Sequence, residues 1–153
     1  ASAPDHGQLL PWRFVLITTS SRERLADVFA LALRERDAQA TDDQVAQARE
    51  KAFRAPVLLL AIVDGLRGDL EVDVFERMIS AGCAMQNMLL MATALGFGSA
   101  LTSGKALKAE DLRALFGLKD GEHAVCFLSI GSVQSQKRPL RVRPASAEYV
   151  QTF

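Results

Sequence analysis

Residues 57–63 read VLLLAIV, seven consecutive apolar positions with Pro56 before them and Asp64-Gly65 after. The run has strand length, and both its odd and its even positions are apolar. A strand of that kind has no face to offer water, so it belongs in the middle of a sheet covered on both sides.

The neighbouring segments supply further strands and the cover. Residues 12–18 (WRFVLIT) are aromatic and β-branched and are expected to form a buried strand. Ser20-x-x-Glu23 has the form of a capping box, and Leu25, Val28, Phe29, Ala32 and Leu33 follow at helical spacing. Thr41-x-x-Gln44 is a second such box, with Val45, Ala48, Ala52 and Phe53 on one face. Residues 64–73 are polar and contain glycine, as a loop should. Residues 74–95 form the longest helical candidate, apolar nearly all round from Ile79 onward, which requires either a central core helix or one packed across a dimer interface. After a turn and short strand within 96–104 come a helix over 108–116, with Gly117 as its left-handed C′ residue, and a strand over 125–132. The basic remainder, with Pro139 and Pro144, reads as an extended tail of the kind that wraps a partner subunit.

Size and charge limit the function. A chain of 153 residues is expected to form one domain. Its 18 basic and 18 acidic residues cancel, which gives no electrostatic footprint for nucleic acid or an anionic membrane. No stretch reaches the roughly 18 apolar residues of a membrane helix. Cys83 and Cys126 lie in apolar segments and read as buried free thiols, suited to a reducing cytoplasm.

Few residues advertise chemistry. GFGSAL (96–101) has glycine spacing that suggests dinucleotide binding, but it follows a helix and precedes a strand, the reverse of the order that aims phosphate at helix N–H groups. His6 and His123 have no cysteine or carboxylate at ligand spacing, so no metal site is expected. No G-x-S-x-G elbow marks a nucleophilic serine. His123 reads as a turn residue ahead of the last strand. His6 stands out more, in a short polar loop held against the first strand by Pro11-Trp12.

Four segments, in order, carry a family resemblance: APDHGQLLPWRF, FRAPVLLLAIV, SAGCAMQNMLLMATALGFGSALTSG and FLSIGS. Together they resemble the nitroreductase-like flavoproteins, most closely the small single-domain bacterial branch of NAD(P)H nitroreductases. The resemblance implies an α+β fold, with a mixed β-sheet flanked by helices, a long central helix, and two chains intertwined as a homodimer with FMN at their interface. It implies an FMN-dependent oxidoreductase, in which NAD(P)H reduces the flavin and a flat small-molecule acceptor such as a nitroaromatic or quinone is reduced in turn. A non-catalytic flavin-binding or flavin-free dimeric module of the same fold is the alternative.

The resemblance also assigns positions. Ser2 and His6 match FMN-contacting positions of the loop before Pro-Trp, and Gln8 matches an amide found four residues before the Trp. Leu101, Thr102 and Ser103 match a second FMN-contacting stretch, and Met91, Ala92, Thr93, Ala94, Leu95 and Gly96 match the segment assigned to the nicotinamide nucleotide. Two departures stand out. Leu10 replaces a usual Gln, and residue 1 falls downstream of the Arg-Arg-Ser-type segment with which relatives bind the FMN phosphate. Lys137, Arg138, Arg141 and Arg143 are the expected substitutes for that charge, Arg141 foremost. No catalytic side chain is expected, because a flavin carries the redox chemistry itself.

Overall fold

The computed structural model describes residues 2–134 and 142–152. The apolar run becomes β2 (Val57–Asp64), an inner strand of a four-stranded sheet ordered β1-β2-β4-β3. β1 (Trp12–Leu16) and β3 (Gly98–Thr102) form the edges, and β4 (Glu122–Gly131) lies between β2 and β3. All three pairings are antiparallel, so the described strands contribute no parallel pair to the expected mixed sheet. A register shift at Ala61/Ile62 leaves Val125 of β4 without an opposite residue.

β2 serves two cores through simple alternation. Leu58, Leu60 and Ile62 face a cluster built with Leu25, Ala26, Val28 and Phe29 of α1 (Arg22–Arg36), Ala48 of α2 (Asp42–Glu50) and Leu112 of α4 (Glu110–Phe116). Leu59, Ala61 and Val63 face Ala81 and Met85 of α3 (Val74–Ala94), with Trp12 and Phe14 beside them. Leu60 and Ile62 are fully buried, each worth about 2 kcal/mol in apolar transfer. The α+β architecture and the central apolar strand are as the sequence implies.

Several local expectations need correction. β1 is an edge strand and only half buried, because among the described residues no strand pairs with its outer side. Ser20 does not cap α1. Residues Thr19–Ser21 form a 3-10 turn, and the Thr18 hydroxyl hydrogen-bonds those of Ser20 and Ser21, so the serine is not free to meet a helix N–H. The Thr41 and Gln44 box does form, with both reciprocal bonds present. Phe53 leaves the expected apolar face because α2 tightens into a 3-10 turn at Lys51–Phe53, which rotates its ring outward. His123 lies inside β4 opposite Val63, not in a turn. Cys126 is buried, whereas Cys83 is only partly so. Gly117 does terminate α4 in the left-handed conformation, at φ 56°.

The long helix departs most from a helix buried on every side. Ser80, Ala81, Ala84 and Met85 face the sheet, but Ile79, Leu90 and Leu95 are 65%, 58% and 66% exposed. It is a one-sided cover with an apolar outer face, and the reading of it as a central core helix fails for the single chain.

Two buried arginines fasten the loops to this frame. Arg77, 1% exposed, donates to the carbonyls of Asp64, Arg67, Asp69 and Val72 and so gathers the whole 64–73 loop around the start of α3. Arg22 does the same for Ile17, Ala52, Ala55 and Pro56. Each guanidinium spends its donors on main-chain oxygens instead of a carboxylate, which satisfies a buried cation with no second charge to desolvate.

Candidate functional site

The leading loop is wound tightly before β1. His6–Gln8 makes a 3-10 turn, and Gly7, Gln8 and Leu10 all have positive φ (68°, 52° and 46°). For a leucine this left-handed backbone costs on the order of 1 kcal/mol. The Asp5 carboxylate holds it there by accepting from Leu10 N at 2.7 Å, and Arg67 donates to the Leu9 carbonyl at 2.9 Å. His6 Nδ1 meets Glu76 Oε2 at 2.7 Å. The hydrogen bond and the charge of that carboxylate push the imidazole above its ordinary value of 6.5. Ser2, His6 and Gln8 are exposed, while Pro11 is buried and the Trp12 indole N–H donates to Ser80 Oγ at 3.0 Å. The tryptophan thus anchors the loop to α3.

At the other edge of the sheet, β3 ends at Thr102, and Ser103 follows. Both residues line a cavity of about 450 Å³ between α1, the end of α2 and the β3–α4 connection. Its apolar floor includes Phe29, Leu33, Leu58 and Phe127. Four cations share the lining: Arg36, Lys51, Arg54 and Lys105. No carboxylate lines it, and among the described residues none of the four is ion-paired. In sequence these four look like ordinary solvated charges, since only the tertiary fold brings 36, 51, 54 and 105 together.

The two expected contact segments therefore stand apart within one chain. Ser2, His6 and Gln8 precede β1, Leu101 to Ser103 close β3, and β2 and β4 lie between. Three strand spacings separate those edges, roughly 14 Å. Met91, Thr93, Ala94, Leu95 and Gly96 lie exposed at the end of α3 and the turn beyond it, but Ala92 is buried at 5% and offers no surface to a ligand. Arg143 is exposed, whereas Lys137, Arg138 and Arg141 lie outside the described residues. Among the described residues no group of three or more His, Cys, Asp or Glu is placed to hold a metal, and no helix is long and apolar enough to cross a membrane.

A model of the nitroreductase family matches residues 1–132. The chain belongs to the nitroreductase family. An Escherichia coli (strain K12) protein named "Putative NAD(P)H nitroreductase YdjA" is 35% identical over 135 residues, covering 86% of this chain and 70% of that relative. A Haemophilus influenzae relative of the same general name is 30% identical over 141 residues, covering 92% and 76%. Among solved structures, a nitroreductase-like family protein from Bacillus cereus superposes with a TM-score of 0.78 at 20% identity, covering 99% of this chain and 78% of that one. A Bacteroides fragilis nitroreductase solved with bound FMN gives 0.68 at 20% identity, covering 100% and 81%. At that identity the likeness of this nitroreductase-family chain to solved structures is one of fold.

Proposed function

We propose that this chain is an FMN-dependent oxidoreductase, a single domain that works as a homodimer, takes electrons from NAD(P)H and reduces nitroaromatic, quinone or similar flat acceptors by alternating turnover. The observation that carries the reading is the cavity at the end of β3, in a chain of the nitroreductase family. Its donor set suits a flavin: an apolar floor for a flat ring, the hydroxyls of Thr102, Ser103 and Ser129, and cations with no competing acid.

FMN, when bound, supplies hydride acceptance at its ring and onward transfer of electrons. Thr102 and Ser103 orient the flavin, helped by main-chain groups on the outer edge of β3, which no strand among the described residues pairs. Phe29, Leu33, Leu58 and Phe127 keep water from the covered face. Leu101 borders the same rim, and the exposed residues of the 91–96 segment, Ala92 excepted, receive the nicotinamide nucleotide.

Dimerisation reconciles the separated segments. The outer face of α3 presents Ile79, Leu90 and Leu95, and a second copy packed there hides them from water while it brings its Ser2, His6 and Gln8 toward the first chain's β3. Purified protein given FMN should be yellow and oxidise NAD(P)H rapidly only when flavin and an acceptor are both present. His6→Ala should weaken FMN retention more than His123→Ala. Colourless protein that takes up no FMN would favour the flavin-free dimeric module instead.

A further inference from the structure

We propose that Arg36, Lys51, Arg54 and Lys105 receive the phosphate end of the flavin, so that this chain carries phosphate-binding charge in its cavity mouth, apart from the basic tail. The inference rests on the flavoprotein reading above and adds residues that neither the family resemblance nor the 137–143 segment supplies.

The argument begins with what the lining lacks. A cavity edged by four cations without one carboxylate holds a concentrated positive potential, and like charges held together cost stability unless an anion is there to offset them. Elsewhere on the same surface the pattern is different: Arg49 is paired with both Glu23 and Asp27, and Arg34 with Asp42. Those arginines meet acids, whereas the four cations of the cavity mouth meet none among the described residues. The neutral polar side chains in the lining are the hydroxyls of Thr102, Ser103 and Ser129, and the remainder is apolar. A ligand matched to this surface has a flat apolar body, a hydroxylated neck and a compact anion. FMN has all three parts, and riboflavin has the first two.

The phosphate is a dianion near neutral pH, and guanidinium donors bind it through short charge-assisted hydrogen bonds. Arg54 and Lys51 sit one turn apart at the exit of α2, where the chain tightens into the Lys51–Phe53 turn. That turn, which rotates Phe53 outward, is also what sets both cations at one mouth of the cavity.

The test compares two ligands that differ only in the phosphate. Affinities for FMN and riboflavin are measured by flavin fluorescence quenching on the wild-type protein and on the Lys51→Gln/Arg54→Gln double variant. The proposal expects FMN to bind at least about tenfold more tightly than riboflavin in the wild type. It expects the double variant to lose most of that preference while its riboflavin affinity stays within about twofold, which also shows that the cavity is still folded. Inorganic phosphate should compete with FMN and not with riboflavin. Equal affinities in the wild type would overturn the proposal, and so would an FMN preference untouched by the double substitution, which would place the phosphate on other residues. Failure of the wild type to bind either flavin would instead overturn the flavoprotein reading.

Discussion

His6 Nδ1 and Glu76 Oε2 meet at 2.7 Å, tying the leading loop to the first turn of α3 across 70 positions of sequence. The contact holds His6 above its ordinary value of 6.5. A group whose pKa is raised on folding stabilises fully below the unfolded value and loses that contribution as pH rises through the folded one. The loop should therefore be best docked below 6.5 and loosen above the raised value. Proton NMR of the His6 ring should show titration above 6.5, moving back toward that value in Glu76→Gln.

Glu122 gives a limb of the opposite sign. Arg13 donates to both of its carboxylate oxygens, at 2.7 and 3.0 Å, and Lys119 N donates at 2.9 Å. The Arg13 hydrogen bond is the main cause of its lowered pKa, against the opposing effect of burial. Its contribution is present above the unfolded value of 4.5 and is lost as pH falls through the lowered folded value. Arg13→Met should cost about 1–2 kcal/mol at neutral pH, discounted because the Arg13 side chain is 40% exposed. Urea unfolding at pH 7 and pH 3 should show this difference shrinking in acid.

Arg77→Met should destabilise by roughly 3 kcal/mol, because four carbonyls around a buried site lose their donor. Arg77→Lys should recover only a minor part, since an ammonium cannot reach a fan of acceptors spread around a planar fork. Chemical denaturation, with protease cleavage within 64–73 as a local readout, separates the two variants.

Ser80→Ala removes the acceptor for the Trp12 indole and should cost about 1 kcal/mol. A red shift of Trp12 emission would show water reaching the ring, since it is the one tryptophan in the chain.

Ile79→Glu tests the outer face of α3. The residue is 65% exposed in the single chain, so a charge there should leave the fold intact while halving the mass seen by light scattering. An unchanged dimer would move the interface elsewhere.

The parts of this molecule that could be read in advance are those whose signal is local. VLLLAIV carries its own burial pattern, Thr41 and Gln44 satisfy each other three residues apart, and Gly117 takes a backbone conformation that suits glycine. The Ser20 box has the same letters as a working cap but loses to the turn that Thr18 organises. Arg22 and Arg77 were invisible among other charges because their partners are main-chain carbonyls, which have no sequence signature. Ile79 and Leu90 leave two readings open in sequence, core or dimer interface, because apolarity signals that a face must be covered and says nothing of which chain covers it; in the single chain both are exposed. The expected contact segments follow from family resemblance alone, and their separation onto opposite sheet edges needs the strand order.

The carbonyl cages leave an uneven freedom to evolve. Every acceptor around Arg77 and Arg22 is an atom that all twenty amino acids carry, so the cages themselves place no demand on the side chains at 67, 69, 72, 52 and 55. The two arginines themselves have no such latitude. As far as the cages go, side chains on the 64–73 loop that make no other contact can change while its path through space stays fixed.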